Sequence, residues 1–391
     1  MTTQTHESSH SPPEGARQRI PVGVLGATGA VGQRFLTLLA KHPWFEPVAL
    51  FGSERSAGKP YREAATWMQE QDIPESVADM EVRLLGPAPE CLILFSALDA
   101  SVADRAEREL AAAGHFVVSN ARSHRMDPDV PLVVPEVNAE HLDLVREQRH
   151  GEGAAGAIIT NPNCSTIGLV CVLKPLQDAF GIRRVRVVTL QALSGAGFPG
   201  VSSLHAVDNV VPFISGEEDK LETEPRKILG TLQSGEIAPA EITVSAQCNR
   251  VPVIDGHLLC ISVELEGDPS AEEVEAALQD FRAEPQERGL PTAPELPVVV
   301  TQREDRPQPR VDRSRGGGMA VTVGRVRPCP LGGFQMVALS HNTLRGAAGG
   351  AILLAELAVD RGLVPEVEPF ARLSTVGDAV TAAPEAVLAG G

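Results

Sequence analysis

Ile20-Pro21-Val22-Gly23-Val24-Leu25-Gly26-Ala27-Thr28-Gly29-Ala30-Val31-Gly32 begins as a short apolar run, breaks at a glycine, and passes into a helical pattern carried by Val31, Phe35, Leu38 and Leu39. Strand, glycine turn and helix in that order open a dinucleotide-binding unit. The glycines at 26, 29 and 32 give a GxxGxxG spacing rather than the commoner GxGxxG, so the turn alone also fits an ordinary strand-to-helix connection. Its physics suits a ligand: small residues let the main chain approach a pyrophosphate, whose charge a helix N-terminus stabilises. Gly26, Thr28, Gly29, Ala30, Val31 and Gly32 are therefore candidate cofactor contacts.

Apolar strands and helical stretches continue to alternate outward from that turn. Val48 to Phe51 reads as a strand, followed by Gly52-Ser53-Glu54-Arg55-Ser56-Ala57-Gly58-Lys59, where a ribose would be read. Arg55, Ser56 and Lys59 against the single acid Glu54 favour a 2′-phosphate, hence NADP over NAD, though a solvated loop would look the same. Cys91 to Phe95, a helix from Val102 to Ala113 and the strand His115 to Val118 extend a parallel, Rossmann-type sheet. The polar loop Ser119 to Met126 follows at a strand's carboxyl end, with two arginines able to hold an anion.

The chain's 391 residues are enough for two domains. A formal charge of −17, with 51 acidic and 34 basic residues, opposes nucleic acid and anionic membranes as partners. Six cysteines without metal-ligand spacing suit a reducing, cytoplasmic setting and no metal. No apolar window is long enough for a membrane span. Residues 1–19 and 374–391 read as loose polar tails.

Ile159-Thr160-Asn161-Pro162-Asn163-Cys164-Ser165-Thr166-Ile167-Gly168 passes from a strand through a proline turn into a helix that starts at Cys164. A thiol there faces the positive end of the helix dipole, which is expected to lower its pKa and leave N–H groups for an oxyanion; a buried structural cysteine is the plainer alternative. Beyond Phe180 the texture becomes α+β. Arg184 to Ala192, Ile242 to Cys248, Leu258 to Leu265, Ala320 to Val326 and Phe334 to Leu339 predict a mixed, largely antiparallel sheet with helices on one face. Ala271 to Arg282 predicts one helix, and the rest of the stretch to Gly318 an irregular, partly mobile segment. A Gly/Ala-rich helix from Thr343 is expected to return to the first domain.

Six motifs in order, GATGAVG, PNCST, QALSGAG, GEEDKLE, CNRVPVIDGH and HNTLRGAAGG, together with SNARSHRMDPDVPLVVPEVN, make the chain from Ile20 to Gly362 resemble the archaeal and fungal branch of the aspartate-semialdehyde dehydrogenases. The resemblance implies Cys164 as acylated nucleophile, His257 as acid/base and Gln191 orienting the carbonyl. It implies Glu217 and Arg250 on the substrate's amine and carboxylate with Asn163 beside them, and Arg125 and Lys220 on phosphate. Ser194, Gly195 and Asn342 would join the cofactor site. The domains implied are 20–160 for NADP, completed by the helix 343–362, and 161–342 for catalysis and dimerisation, in a homodimer or homotetramer. Gly316-Gly317-Gly318 matches no motif of the family. Read alone, His257 could be a surface histidine, Glu217 and Lys220 solvated helix residues, and Gln191 an ordinary strand end. Malonyl-CoA reductase, N-acetylglutamyl-phosphate reductase and a catalytically silent NADP-binding regulator are the rival functions.

Overall fold

The computed structural model describes residues 19–148, 150 and 156–365. The two expected tails lie outside these residues apart from Arg19, which pairs with Glu46.

The first half of the chain supplies β1 (Ile20–Leu25), β2 (Phe45–Phe51), β3 (Val82–Arg83), β4 (Ile93–Ser96), β5 (Phe116–Ser119) and β6 (Ala157–Thr160). They form one sheet in the order β3-β2-β1-β4-β5-β6, and every neighbouring pair is parallel. β4, β5 and β6 are buried at every residue, as a sheet covered on both faces requires. The strand order reverses between β1 and β4, which opens a crevice at their carboxyl ends. The helix Ala30–Leu39 starts beside that crevice, and Gly26, at φ 72°, makes the turn into it. A Cβ at Gly26 would lie 2.7 Å from the Ala97 carbonyl oxygen, so only glycine fits.

The second sheet contains β7 (Ile182–Gln191), β10 (Thr243–Arg250), β11 (His257–Leu265), β12 (Val298–Thr301), β13 (Val321–Pro328) and β14 (Phe334–Ser340), while β8 (Thr231–Gln233) and β9 (Glu236–Ala238) form a separate hairpin. Its order is β10-β7-β11-β14-β13-β12; the three central pairings are antiparallel and the two outer ones parallel. The helix Cys164–Phe180 and the helix Ala271–Gln279 pack with β7, β11, β13 and β14 through a shared apolar cluster. The other face alternates outward, with Arg184, Arg186, Val188 and Cys260 exposed. A charged helix, Glu217–Ile228, packs against β10.

After β14 a π-helical turn, Leu344–Ala348, leads into the closing helix Gly349–Asp360, which is buried almost throughout in the core of the first sheet. The expected return to the first half is what the structure contains.

Residues 283–318 depart from expectation. The irregular stretch contains the edge strand β12 and is tied down by charge: Glu284 pairs with Arg361, Arg288 with Asp360, and Asp312 with both Arg306 and Arg315. Thr292 donates through its main chain to Glu356, which also accepts from His42 at 2.7 Å. Alternation in a four-residue edge strand is too short to register in sequence, and long-range ion pairs have no local signature. Gly316, Gly317 and Gly318 all have positive φ, which accounts for three consecutive glycines without a ligand.

Candidate active site

Asn163 and Cys164 stand where β6 runs into the helix Cys164–Phe180. The Asn163 side-chain oxygen accepts from the main-chain N–H of Ser165 (2.9 Å) and of Thr166 (3.2 Å), capping the helix. Two of the N–H groups expected to face an oxyanion are therefore already taken; the Cys164 N–H has no partner among the described residues. The Asn163 main-chain N–H donates to Glu224 (2.8 Å), and its side-chain amide donates to Glu217 (2.8 Å).

Strand β11 begins with His257, fully buried, and its Nε2 lies 3.3 Å from Cys164 Sγ. On the ring's other side, Nδ1 accepts from the Ala192 main-chain N–H at 3.0 Å. A ring nitrogen that accepts is unprotonated, so the single proton of the neutral imidazole sits on Nε2, facing the sulfur. Burial is the main force holding His257 down to about 3, with Arg250 and His341 adding to it against the opposing pull of Glu217. Cys164 keeps partial access, yet the atoms packed around Sγ push the thiol up to about 12, and Glu217 raises it further against Lys220, Arg125 and Arg250. The structure thus runs against the expected low thiol pKa: burial and Glu217 favour a neutral thiol, beside an imidazole that burial also keeps neutral.

Opposite this pair lies a cluster of charges. Glu217 accepts from Lys220 (2.7 Å), Asn163 and Gln191 (3.2 Å). Burial alone would raise its pKa, but Lys220 and the two amides outweigh that and hold the carboxyl below its usual range. Gln191 is 1% exposed and its amide also donates to Thr189 (3.3 Å). Arg250, at the end of β10, donates through Nη1 to the Ala192 carbonyl at 2.6 Å. Arg125 is held by Glu224 (2.9 Å) and the Asn120 carbonyl (2.7 Å), leaving its buried Nε without a partner among the described residues. The two expected phosphate cations thus each have an internal carboxylate partner.

Glu224 escaped the sequence reading although a signal existed. Residues 217, 220, 224 and 227 recur at helical spacing, so one face of the charged helix carries Glu, Lys, Glu and Lys toward the same corner. Lys227, lowered to about 8 by burial, donates to the carbonyls of Arg125, Asp127 and Val130 and so fixes the loop that carries Arg125. Gly346, in the π-helical turn, was also missed: a Cβ there would lie 2.7 Å from that of Cys164. Next to it, Arg345 is fully buried, forms a two-pronged pair with Glu136 (2.7 and 2.6 Å), and donates to Cys171 Sγ at 3.1 Å.

A cleft of about 300 Å³ runs between the glycine turn and the second sheet, lined among others by Ala30, Val31, Ser194, Ile254 and Thr343. Gly29 caps the Ala30–Leu39 helix with no side-chain bond and no acid follows in the first turn, so the helix end is bare toward the cleft. A Cβ at Gly32 would lie 2.2 Å from the Gly26 carbonyl oxygen, which keeps helix and strand close. Thr28 is partly buried and Gly29 exposed. These features fit a pyrophosphate. Farther out, Arg55 is exposed whereas Ser56 is 8% exposed beneath the turn. Ser194 accepts from the Asn342 side chain (2.8 Å), whose oxygen holds the Gly256 N–H. Gly195, expected at the cofactor, stands nearer the reacting pair: a Cβ there would lie 3.1 Å from His257 Nε2 and 2.9 Å from Arg250 Nη1.

Two family models match the chain, the NAD binding domain of semialdehyde dehydrogenase over residues 21–145 and its dimerisation domain over 173–345. The aspartate-semialdehyde dehydrogenase of Methanothermobacter thermautotrophicus is 53% identical over 342 residues, covering 86% of this chain and 98% of the relative. The chain belongs to the aspartate-semialdehyde dehydrogenase family. The Schizosaccharomyces pombe member is 51% identical over 353 residues, covering 88% of this chain and 99% of its own. Among solved members, the Candida albicans enzyme, crystallised with NADP, superposes with a TM-score of 0.83 at 48% identity over 89% of this chain and 100% of that one. Archaeal and fungal members of this family of oxidoreductases therefore match the chain over most of its length.

Proposed function

We propose that this chain is a phosphorylating, NADP-dependent aspartate-semialdehyde dehydrogenase that converts L-aspartyl 4-phosphate to L-aspartate 4-semialdehyde in aspartate-family amino-acid biosynthesis. The observation that carries the reading is the approach of Cys164 Sγ and His257 Nε2, at 3.3 Å, next to a cluster of paired charges. A sulfur so placed can form an acyl thioester, splitting one difficult substitution into two easier steps. The family's name for the relatives supplies the substrate class, and Glu217 facing Arg250 suits an α-amine and an α-carboxylate. Malonyl-CoA and N-acetylglutamyl phosphate offer no free ammonium for Glu217, and a silent regulator would not need a thiol beside an imidazole.

Gly26, Gly29, Ala30, Val31 and Gly32 would hold the cofactor's pyrophosphate, Arg55 its 2′-phosphate, and Ser194 would lie along the cleft toward the reacting pair. NADP, with NAD as second choice, supplies the hydride chemistry when bound. Gln191 would orient the acyl carbonyl, and Asn163 would fix Glu217 against the substrate. Arg125 and Lys220 would meet the phosphate by exchanging their carboxylate partners for it. Residues 20–160 with 343–362 would act as the cofactor domain and 161–342 as the catalytic and dimerisation domain. The exposed face of the second sheet would join two copies as a homodimer, or a pair of dimers, working in the cytoplasm. The test is phosphate-dependent reduction of NADP by aspartate semialdehyde, with malonyl-CoA reduction run alongside. Turnover of the semialdehyde with phosphate is expected, and preferential turnover of the CoA ester would overturn the reading.

A further inference from the structure

A lysine as buried as Lys227, 7% exposed, is normally paired with a carboxylate. Lys227 forms no salt bridge among the described residues, and Asp127 and Asp129 act on it from beyond bonding distance. Its three N–H groups go instead to three main-chain carbonyls of one loop, those of Arg125 (2.8 Å), Asp127 (2.7 Å) and Val130 (2.8 Å). An ammonium has three donors and no acceptor, so nothing is left over for a ligand. The loop's main chain has little else to hold it. The bonds donated within it by the N–H groups of Arg125, Asp127 and Val130 are long, at 3.3, 3.2 and 3.3 Å. The carbonyls of Arg125 and Val130 have no other partner among the described residues. Side chains anchor the loop at Asp127, whose carboxylate meets Arg108 (2.8 Å) and His124 (2.9 Å), and at Arg125 itself.

One turn of the charged helix therefore grips Arg125 at both ends. Glu224 accepts from its guanidinium at 2.9 Å, and Lys227, three residues on, donates to its carbonyl. The two grips differ in kind. An arriving phosphate competes with Glu224 for the guanidinium, since both are anions. It leaves the Lys227 bonds alone, because they join a buried ammonium to neutral carbonyls and use all its donors. We propose that Lys227 is a positioning residue for phosphate: it fixes the main chain of Arg125, so that the guanidinium can exchange Glu224 for phosphate without the loop shifting. This rests on the reading above in which Arg125 meets the phosphate. Lys227 acts through Arg125 and makes no bond to the ligand.

The test varies inorganic phosphate in the reduction of NADP by aspartate semialdehyde, with the fold of each variant checked by circular dichroism. Lys227→Met removes all three donors and Lys227→Gln keeps two, so a fold lost in the first leaves the second to carry the measurement. Lys227→Met is expected to raise the KM for phosphate about tenfold and Lys227→Gln by less, with the KM for NADP unchanged within about twofold. Because Lys227 acts through Arg125, the same substitution in an Arg125→Gln background should add less than about twofold, whereas a merely structural role would repeat its full effect there. An unchanged phosphate KM in the folded Lys227 variants, an equal rise in the KM for phosphate and for NADP, or a full repeat of the effect in the Arg125→Gln background overturns the proposal. Arg125→Gln alone tells the two readings apart. A rise in its phosphate KM upholds the phosphate site, so that silent Lys227 variants then sink the role of Lys227 by itself. An unchanged KM overturns the phosphate reading of Arg125 and the role of Lys227 with it.

Discussion

The two sides of the candidate site are built on opposite electrostatic principles. On one side, Cys164 and His257 are both neutral, because burial removes the water that would stabilise a thiolate or an imidazolium. On the other, Glu217, Lys220, Glu224 and Arg125 are all placed as charges, each with an opposite partner within 3 Å. The difference teaches that the protein spends its charges on one another at rest and keeps the reacting pair uncharged. Under the proposed function, substrate would exchange partners with the charged side to reach the neutral side.

The sharpest way to break the contrast is to delete the neutral side. Cys164→Ala is expected to lower phosphate-dependent NADP reduction by about 10⁴-fold or more, as removal of a covalent nucleophile does, with folding intact by circular dichroism. Next comes the charged side. Glu224→Ala strands a buried arginine and frees the Asn163 N–H, and should cost about 3–5 kcal/mol of stability in urea unfolding. A loss below about 1 kcal/mol would mean that Arg125 finds water or another partner. Arg250→Lys keeps the charge but not the fork. A rise of about 10-fold or more in KM for aspartate semialdehyde, with a smaller change in kcat, is expected from the loss of one charge-assisted hydrogen bond.

The neutral side also sets a pH dependence. His257 is lowered to about 3 and His341 to about 4 in the folded chain, so the unfolded chain binds the extra protons between those values and about 6.5. Stability should therefore be full above about pH 6.5 and fall steadily as pH drops toward 4. The depressed carboxyls of Glu217 and Glu284 act in the same sense at lower pH, because the fold favours their ionised forms more strongly than the unfolded chain does. Urea midpoints measured from pH 7 to 4.5 would show it, and a shallower fall in His341→Gln than in wild type would measure His341's share, with His257 accounting for the remainder.

The division between the two sides also marks what was legible in the sequence. The order of the strands, the helix start at Cys164 and the return of the closing helix follow from hydrophobic runs and glycine placement, which act locally. The clustering of Cys164, His257, Gln191, Glu217 and Arg250 could be expected only through resemblance, since these residues come from three strands and two helices far apart in the chain. Three things stayed hidden. The ionisation of Cys164 depends on how tightly distant residues pack around its sulfur. The partners of Arg125 and Lys220 depend on which carboxylates reach them. The bond from the Ala192 N–H to His257 depends on main-chain atoms, which every residue has and no sequence distinguishes.

Gly346 stands where the chain leaves the second sheet to join the first, and its missing side chain is filled by the Cβ of Cys164 at 2.7 Å. Its φ lies outside the left-handed region, so its backbone conformation is open to any residue. In a library of functional variants, position 346 should nevertheless be as blank as position 164 itself, while the surface residues of the same half of the chain vary. The two positions form a single unit of inheritance: drift at either one is barred by the other.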